Sequence, residues 1–194
     1  MGQYYKTVIV RENNSDDKDI LSVDNDCEFR RSWVGLKLME HSYLHNIWIE
    51  TIAFFIYKQR VRMAHVGDYA DEYPQYELAY NNHVKRENVD TSQCFNDNGD
   101  RIYFDYKDKY LVNWDKAIYI NFNEYMKLSK VRWAEDVVVC PFTLLTALGN
   151  GRGGGDYWEN NPNFNQIGTW AWDLISIEDS VPENCTEFPI YFTE

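Results

Sequence analysis

Residues 101–122 read RIYFDYKDKYLVNWDKAIYINF. Apolar and polar side chains alternate in three short runs, 101–106, 110–114 and 117–122, and Asp115-Lys116 separates the last two. Alternation at a period of two sends one set of side chains to a buried face and the other to solvent, the signature of antiparallel strands joined by tight turns. Just before these runs, Asn96-Asp97-Asn98-Gly99-Asp100 is rich in turn formers, and its Asn98-Gly99 pair suits positive φ. A meander is therefore expected here, and it sets the fold class.

Working outward, Tyr4–Val10, Arg62–Val66, TWAWDLISI (169–177) and EFPIYF (187–192) read as further strands, and Val137–Leu148 as an apolar central segment. The polar run from Glu12 to Asp26 reads as a long solvated loop. In GLKLMEHSYLHNIWIETIAFFIYKQ (35–59), Leu44, Ile47, Trp48, Ile52, Phe55 and Ile56 recur at helical spacing, with no Gly or Pro among them. That predicts one long helix at about 43–57, with Ser42 as its N-cap. Short helices are expected at 76–83 and 123–129. Several strands, one long helix and short ones make an α+β fold, mainly antiparallel, over a single domain spanning 1–194.

The chain has 194 residues and a net charge of −12, unevenly placed. Seven acids face one Lys between Glu12 and Glu28, whereas six basic residues face two acids between Phe29 and His65. After Arg152 there is no Lys or Arg, and eight acids follow. Such a field repels nucleic acid and attracts cationic surfaces, although acidic surfaces also serve solubility alone. The aromatics, 15 Tyr, 10 Phe and 7 Trp, fall mostly inside alternating runs and so suit half-buried strand faces, the favoured reading over a protein-binding surface. The four cysteines are scattered without a C-x-x-C pair, as expected of reduced thiols. The opening MGQYYKTVIV lacks a basic, then apolar leader, and no apolar run approaches a membrane span, so a cytoplasmic location without membrane contact is expected.

Half of the ten glycines fall within LLTALGNGRGGGDYW (144–158). The P-loop pattern fails there, because Asp156 stands where a Lys and a hydroxyl are required. Gly151, Gly153, Gly154 and Gly155 instead suit a conformationally special loop, which either satisfies its own amides or presents Arg152 and Asp156 to a ligand. His41 and His45, one helical turn apart, could share a cation with Asp68, Cys140 and Asp156, which would make one structural zinc ion the expected cofactor. The Glu of H-E-x-x-H is missing, so a zinc protease is not expected. His41, Asp68, Arg152 and Asp156 could alternatively form an acid–base pocket. No G-x-S-x-G elbow or nucleophilic Cys signature accompanies them, so an enzyme has no motif behind it.

MGQYYK, GLKLMEHS, GDYAD, LLTALGNGRGGGDY and GTWAWDLISIED resemble the ordered landmarks of a protein family found in phages, prophages and bacterial genomes, over nearly the whole chain. The resemblance brings no activity with it. Its members often carry His-Pro where this chain has Cys140-Pro141, an exchange that keeps a zinc ligand. A phage context implies an acidic inhibitor in the host cytoplasm that mimics nucleic acid in the basic channel of a defence nuclease. An RNA-guided CRISPR nuclease is the candidate partner, and the manner is that of an anti-CRISPR, with no nucleic acid bound directly. Asp16, Asp17, Asp19, Asp24, Asp26, Glu178, Asp179 and Glu183 are the expected contact residues. The alternatives are a metal-dependent hydrolase or nucleotide-processing enzyme, and an accessory protein without activity.

Overall fold

The run TVIV within residues 5–12 is apolar on both sides, and such a strand settles only where both of its faces are covered. The computed structural model describes residues 5–12, 18–23, 43–68, 76–81, 87–90, 92–131, 134–147 and 163–193. In chain order the strands and helices are β1 (Tyr5–Glu12), β2 (Lys18–Val23), α1 (Ile47–Ile56), β3 (Val61–Gly67), α2 (Tyr76–Tyr80), β4 (Glu87–Asn88), β5 (Tyr110–Asn113), β6 (Ile118–Asn121), α3 (Phe122–Leu128), β7 (Lys130–Val131), β8 (Ala134–Val138), β9 (Leu174–Glu178) and β10 (Thr186–Glu187). Eight strands form one sheet in the order β10-β6-β5-β9-β3-β1-β2-β4, and β7 pairs with β8 in a separate ribbon. The pairings are antiparallel except β10 with β6 and β2 with β4. The α+β class follows, with a large, mostly antiparallel sheet and few helices.

The period of two divides the packing. Tyr5, Ile9, Leu21, Val61, Met63, Leu111, Ile120, Ile175 and Ile177 face the larger core, where α1 lays Trp48, Ile49, Ile52, Ala53 and Ile56 against them. On the other face Val8, Val10, Ala64 and Val66 pack with Ala79 of α2 and with Ala147 in a smaller core.

Several expectations are corrected. The long helix is shorter than 43–57, running only from Ile47 to Ile56. Tyr43 bridges Val139 and the Leu44 amide bonds the Val138 carbonyl at 2.9 Å, so these residues belong to strand pairing. His45 then turns the chain at φ 69°, and the Asn46 side chain accepts the Trp48 amide at 2.9 Å as the N-cap of the helix, while the expected cap, Ser42, lies outside the described residues. The solvated loop of 12–26 contains β2, whose backbone pairs with β1 from Thr7↔Val23 to Glu12↔Lys18. In that strand, pairing partners and the burial of Leu21 override a polar composition. Residues 101–106 are not a ladder strand, for a reason that lies at the site described below. At the C-terminal end the strands are 174–178 and 186–187, so the ladder takes only 174–177 of the first expected run and Glu187 of the second.

His65 of β3 is fully buried, with Nδ1 2.8 Å from Thr7 Oγ1. Burial pushes its pKa down to about 3, against a weaker upward pull from the Phe142 backbone. The unfolded chain therefore takes up a proton at this residue below about pH 6.5 while the folded one does not, and stability falls as pH drops from there toward 3. His65→Gln removes this linkage. The stability advantage of the wild type over that variant should shrink by on the order of 4 kcal/mol from pH 7 to pH 3, measured by urea unfolding across that range.

Candidate functional site

Glu50 stands in the middle of the apolar tract IWIETIAFFI and is fully buried. An isolated carboxylate in such a place is strongly unfavourable, so it must collect donors. Its Oε1 accepts the His45 amide at 3.0 Å and the Tyr106 hydroxyl at 2.8 Å, and its Oε2 accepts the Phe104 amide in a short bond. Burial, and next the Glu50 charge, push the Tyr106 phenol well above its ordinary pKa, which keeps it a donor. This bonding explains the missing strand. The Phe104 amide goes to Glu50, the Ile102 amide goes to the Cys94 carbonyl at 2.8 Å, and Arg101 bridges Phe95. Phe104 and Tyr106 turn inward, leaving Ile102 (39% exposed) and Tyr103 (54%) on the surface.

Above the buried carboxylate lies an ordered surface cluster. The His45 ring places Nδ1 3.6 Å from Glu50 Oε1, with its side chain 51% exposed. The edges of Tyr103 and Tyr106 meet that ring at centroid distances of 5.4 and 5.8 Å. Arg101 donates to the His45 carbonyl in a short bond and stacks over Tyr103, 4.7 Å from its centroid. Thr51 and Cys94 lie just inside, Oγ1 to Sγ 3.4 Å, and burial raises the Cys94 thiol pKa. Chemically the arrangement offers a carboxylate-backed histidine at the surface and a fixed Tyr–Arg stack.

Exposed carboxylates neighbour these residues along the chain: Asp97, Asp100 and Asp105, with Asp90 and Asp108 further along the same irregular segment. None of these makes an ion pair among the described residues, although Asp90 caps Ser92 and Asp108 accepts from Asn123 Nδ2 at 2.7 Å. Two acids in the turns beside the sheet behave differently. Asp115 meets Arg62 at 2.5 Å and Asp173 meets Lys116 in a short contact.

The expected contact residues divide in the same way. Asp179 is held by Lys58 at 2.5 Å, by Lys109 at 3.2 Å and by the Tyr57 hydroxyl at 2.7 Å. The Lys58 and Tyr57 hydrogen bonds draw its carboxyl below the usual range. Glu178 accepts the Ser176 hydroxyl at 2.5 Å, Glu183 is exposed, and Asp19 sits in β2 opposite Arg11. Asp16, Asp17, Asp24 and Asp26 lie outside the described residues, as do His41, Asp156, Gly151, Arg152, Gly153, Gly154 and Gly155.

Of the expected metal ligands, His45 belongs to the Glu50 cluster and precedes α1, so helical spacing from His41 does not apply to it. Asp68 follows β3 and is half-buried. Cys140 is fully buried, and its Sγ accepts the Phe142 amide at 3.4 Å as the cap of the 3₁₀ turn Pro141–Leu145. Burial pushes its thiol well up, away from the thiolate that a metal requires. Among the described residues no group of three or more His, Cys, Asp or Glu is placed to hold a metal ion, and no helix is long and apolar enough to cross a membrane.

The chain matches no family model, no curated protein and no solved structure. Glu50, Arg101, Tyr103 and Tyr106 were not singled out by sequence reading. The one available signal was a carboxylate set in an otherwise apolar helical face.

Glu50→Ala should destabilise the fold by about 3–5 kcal/mol, because two backbone amides and a phenol lose a buried acceptor. Glu50→Gln retains one acceptor oxygen and should cost less, and Tyr106→Phe only about 1 kcal/mol. Denaturant unfolding of the three variants checks the order.

Proposed function

We propose that this protein is an inhibitor that binds another protein and occupies its basic, nucleic-acid-binding surface. The contact face is the segment 96–106 with His45. The observation behind this is a fixed Tyr103–Arg101 stack, with Ile102 beside it, in a segment whose exposed Asp97, Asp100 and Asp105 have no ion-pair partner among the described residues. Tyr and Arg anchors inside a charged rim are the anatomy of protein-binding patches, and anchors fixed in advance lose little entropy on binding. Asp100 and Asp105 accept hydrogen bonds from Asn96 and the Lys107 amide, but carboxylates that no Lys or Arg among the described residues neutralises keep their charge for the Lys and Arg of a partner, where they replace phosphates. The net charge of −12 adds long-range attraction to a cationic groove. The phage resemblance makes an RNA-guided defence nuclease the candidate partner.

Binding to such a nuclease should compete with its DNA and weaken about tenfold or more between about 50 and about 300 mM salt. Asp97→Lys with Asp105→Lys should weaken it about tenfold, whereas Asp179→Asn, at a carboxylate already neutralised by lysines, should stay within about twofold. Titration calorimetry against the purified nuclease, with and without DNA, measures both. Affinity indifferent to salt, or unaffected by DNA, would sink the proposal.

A further inference from the structure

Next to the acidic face the surface changes sign. Lys107, Lys127 and Lys130 line an open groove of about 630 Å³ with Asn123, Glu124 and Met126, and Leu128 of the same helix is 56% exposed. Lys127 is paired with Glu124 at 2.6 Å, whereas Lys107 and Lys130 make no ion pair among the described residues. In a chain with a net charge of −12, unpaired lysines grouped around apolar side chains suit an acidic occupant that carries apolar residues of its own.

This chain presents such an occupant. Asp97, Asp100 and Asp105 flank the exposed Ile102 and Tyr103. The two patches also adjoin each other, since the Lys107 amide bonds Asp105 Oδ1 at 3.0 Å within one turn. A twofold axis sets the same surface of two subunits face to face, so that when residue i meets j, j also meets i. Two adjoining patches of opposite sign satisfy that rule, because each copy then offers its lysines to the other's carboxylates.

We infer that the free protein pairs with a second copy of itself, the 97–105 face of one chain seated on the lysine groove of the other. At physiological salt the Debye length is about 8 Å, so the general repulsion between two acidic chains is largely screened while charge pairs in contact persist. The inference rests on the same contact face as the proposed function. It adds that the second copy covers the face until a cationic partner displaces it.

Sedimentation velocity on the full chain, from about 1 to about 200 µM in about 0.15 M salt, should show the 23.1 kDa mass doubling with concentration. Lys107→Glu with Lys130→Glu should remain monomeric over that range, and so should Asp97→Lys with Asp105→Lys. Combining all four changes in one chain should restore the dimer, with circular dichroism confirming the fold of each variant. A wild type that stays monomeric throughout, or a Lys→Glu variant that dimerises unchanged, overturns the inference. The Lys→Glu variant also separates the two ideas, since it keeps the acidic face. If it binds the nuclease while the wild type never dimerises, only the self-pairing fails. If it dissociates from itself as expected yet ignores the nuclease, only the proposed function fails.

Discussion

The Glu50 carboxylate is the constraint on which the surrounding structure depends. It is fully buried on the side of α1 that meets the 104–106 segment, and the chain around it is arranged to supply hydrogen-bond donors. The helix start is drawn in through the His45 amide, and the segment after the Asn96–Asp100 turn through Phe104 and Tyr106. A buried carboxylate left without those donors would be several kcal/mol less favourable than one in water. One residue thus ties together two stretches of chain more than fifty positions apart, and it sets which side chains between 101 and 106 point inward.

Three acids beside the sheet are matched: Asp115 with Arg62, Asp173 with Lys116, and Asp179 with two lysines. These pairs tie helix ends and turns to neighbouring strands, and they leave little field beyond the surface. Along the irregular 90–108 segment the carboxylates cap turns or meet solvent instead, and none of them is matched by a Lys or Arg among the described residues. The acidity that distinguishes the composition is therefore not evenly usable by a partner.

Where side-chain period and pairing agreed, the sequence could be read. The strands at 5–12, 61–67, 110–113 and 118–121 and the turn at Asn98-Gly99 were legible because local alternation and turn chemistry pointed the same way. The 18–23 strand was hidden, because its evidence is the neighbour it pairs with and not its own polar flanks. The 101–106 run misled for the opposite reason: it alternates like a strand, yet its amides are claimed by a distant side chain and a carbonyl. The α+β class was legible, the candidate site hardly at all. Of its members only His45 was picked out, on a helical spacing that the structure does not support, and the charge bias of the C-terminal tract gave no hint that Lys58 and Lys109 reach Asp179.

His45 carries one more consequence. Its left-handed backbone is a conformation that most side-chain-bearing residues tolerate poorly, by roughly 1–2 kcal/mol, whereas Gly accepts it freely and Asn, Asp and His itself accept it better than the rest. Gly, Asn or Asp at this position would suit the same backbone, keeping the amide that Glu50 needs while discarding the ring. Histidine retained where those residues would serve the turn as well would report selection on the imidazole itself, so the identity of this one position in diverging copies of the gene is a natural record of whether the ring does anything beyond shaping the turn.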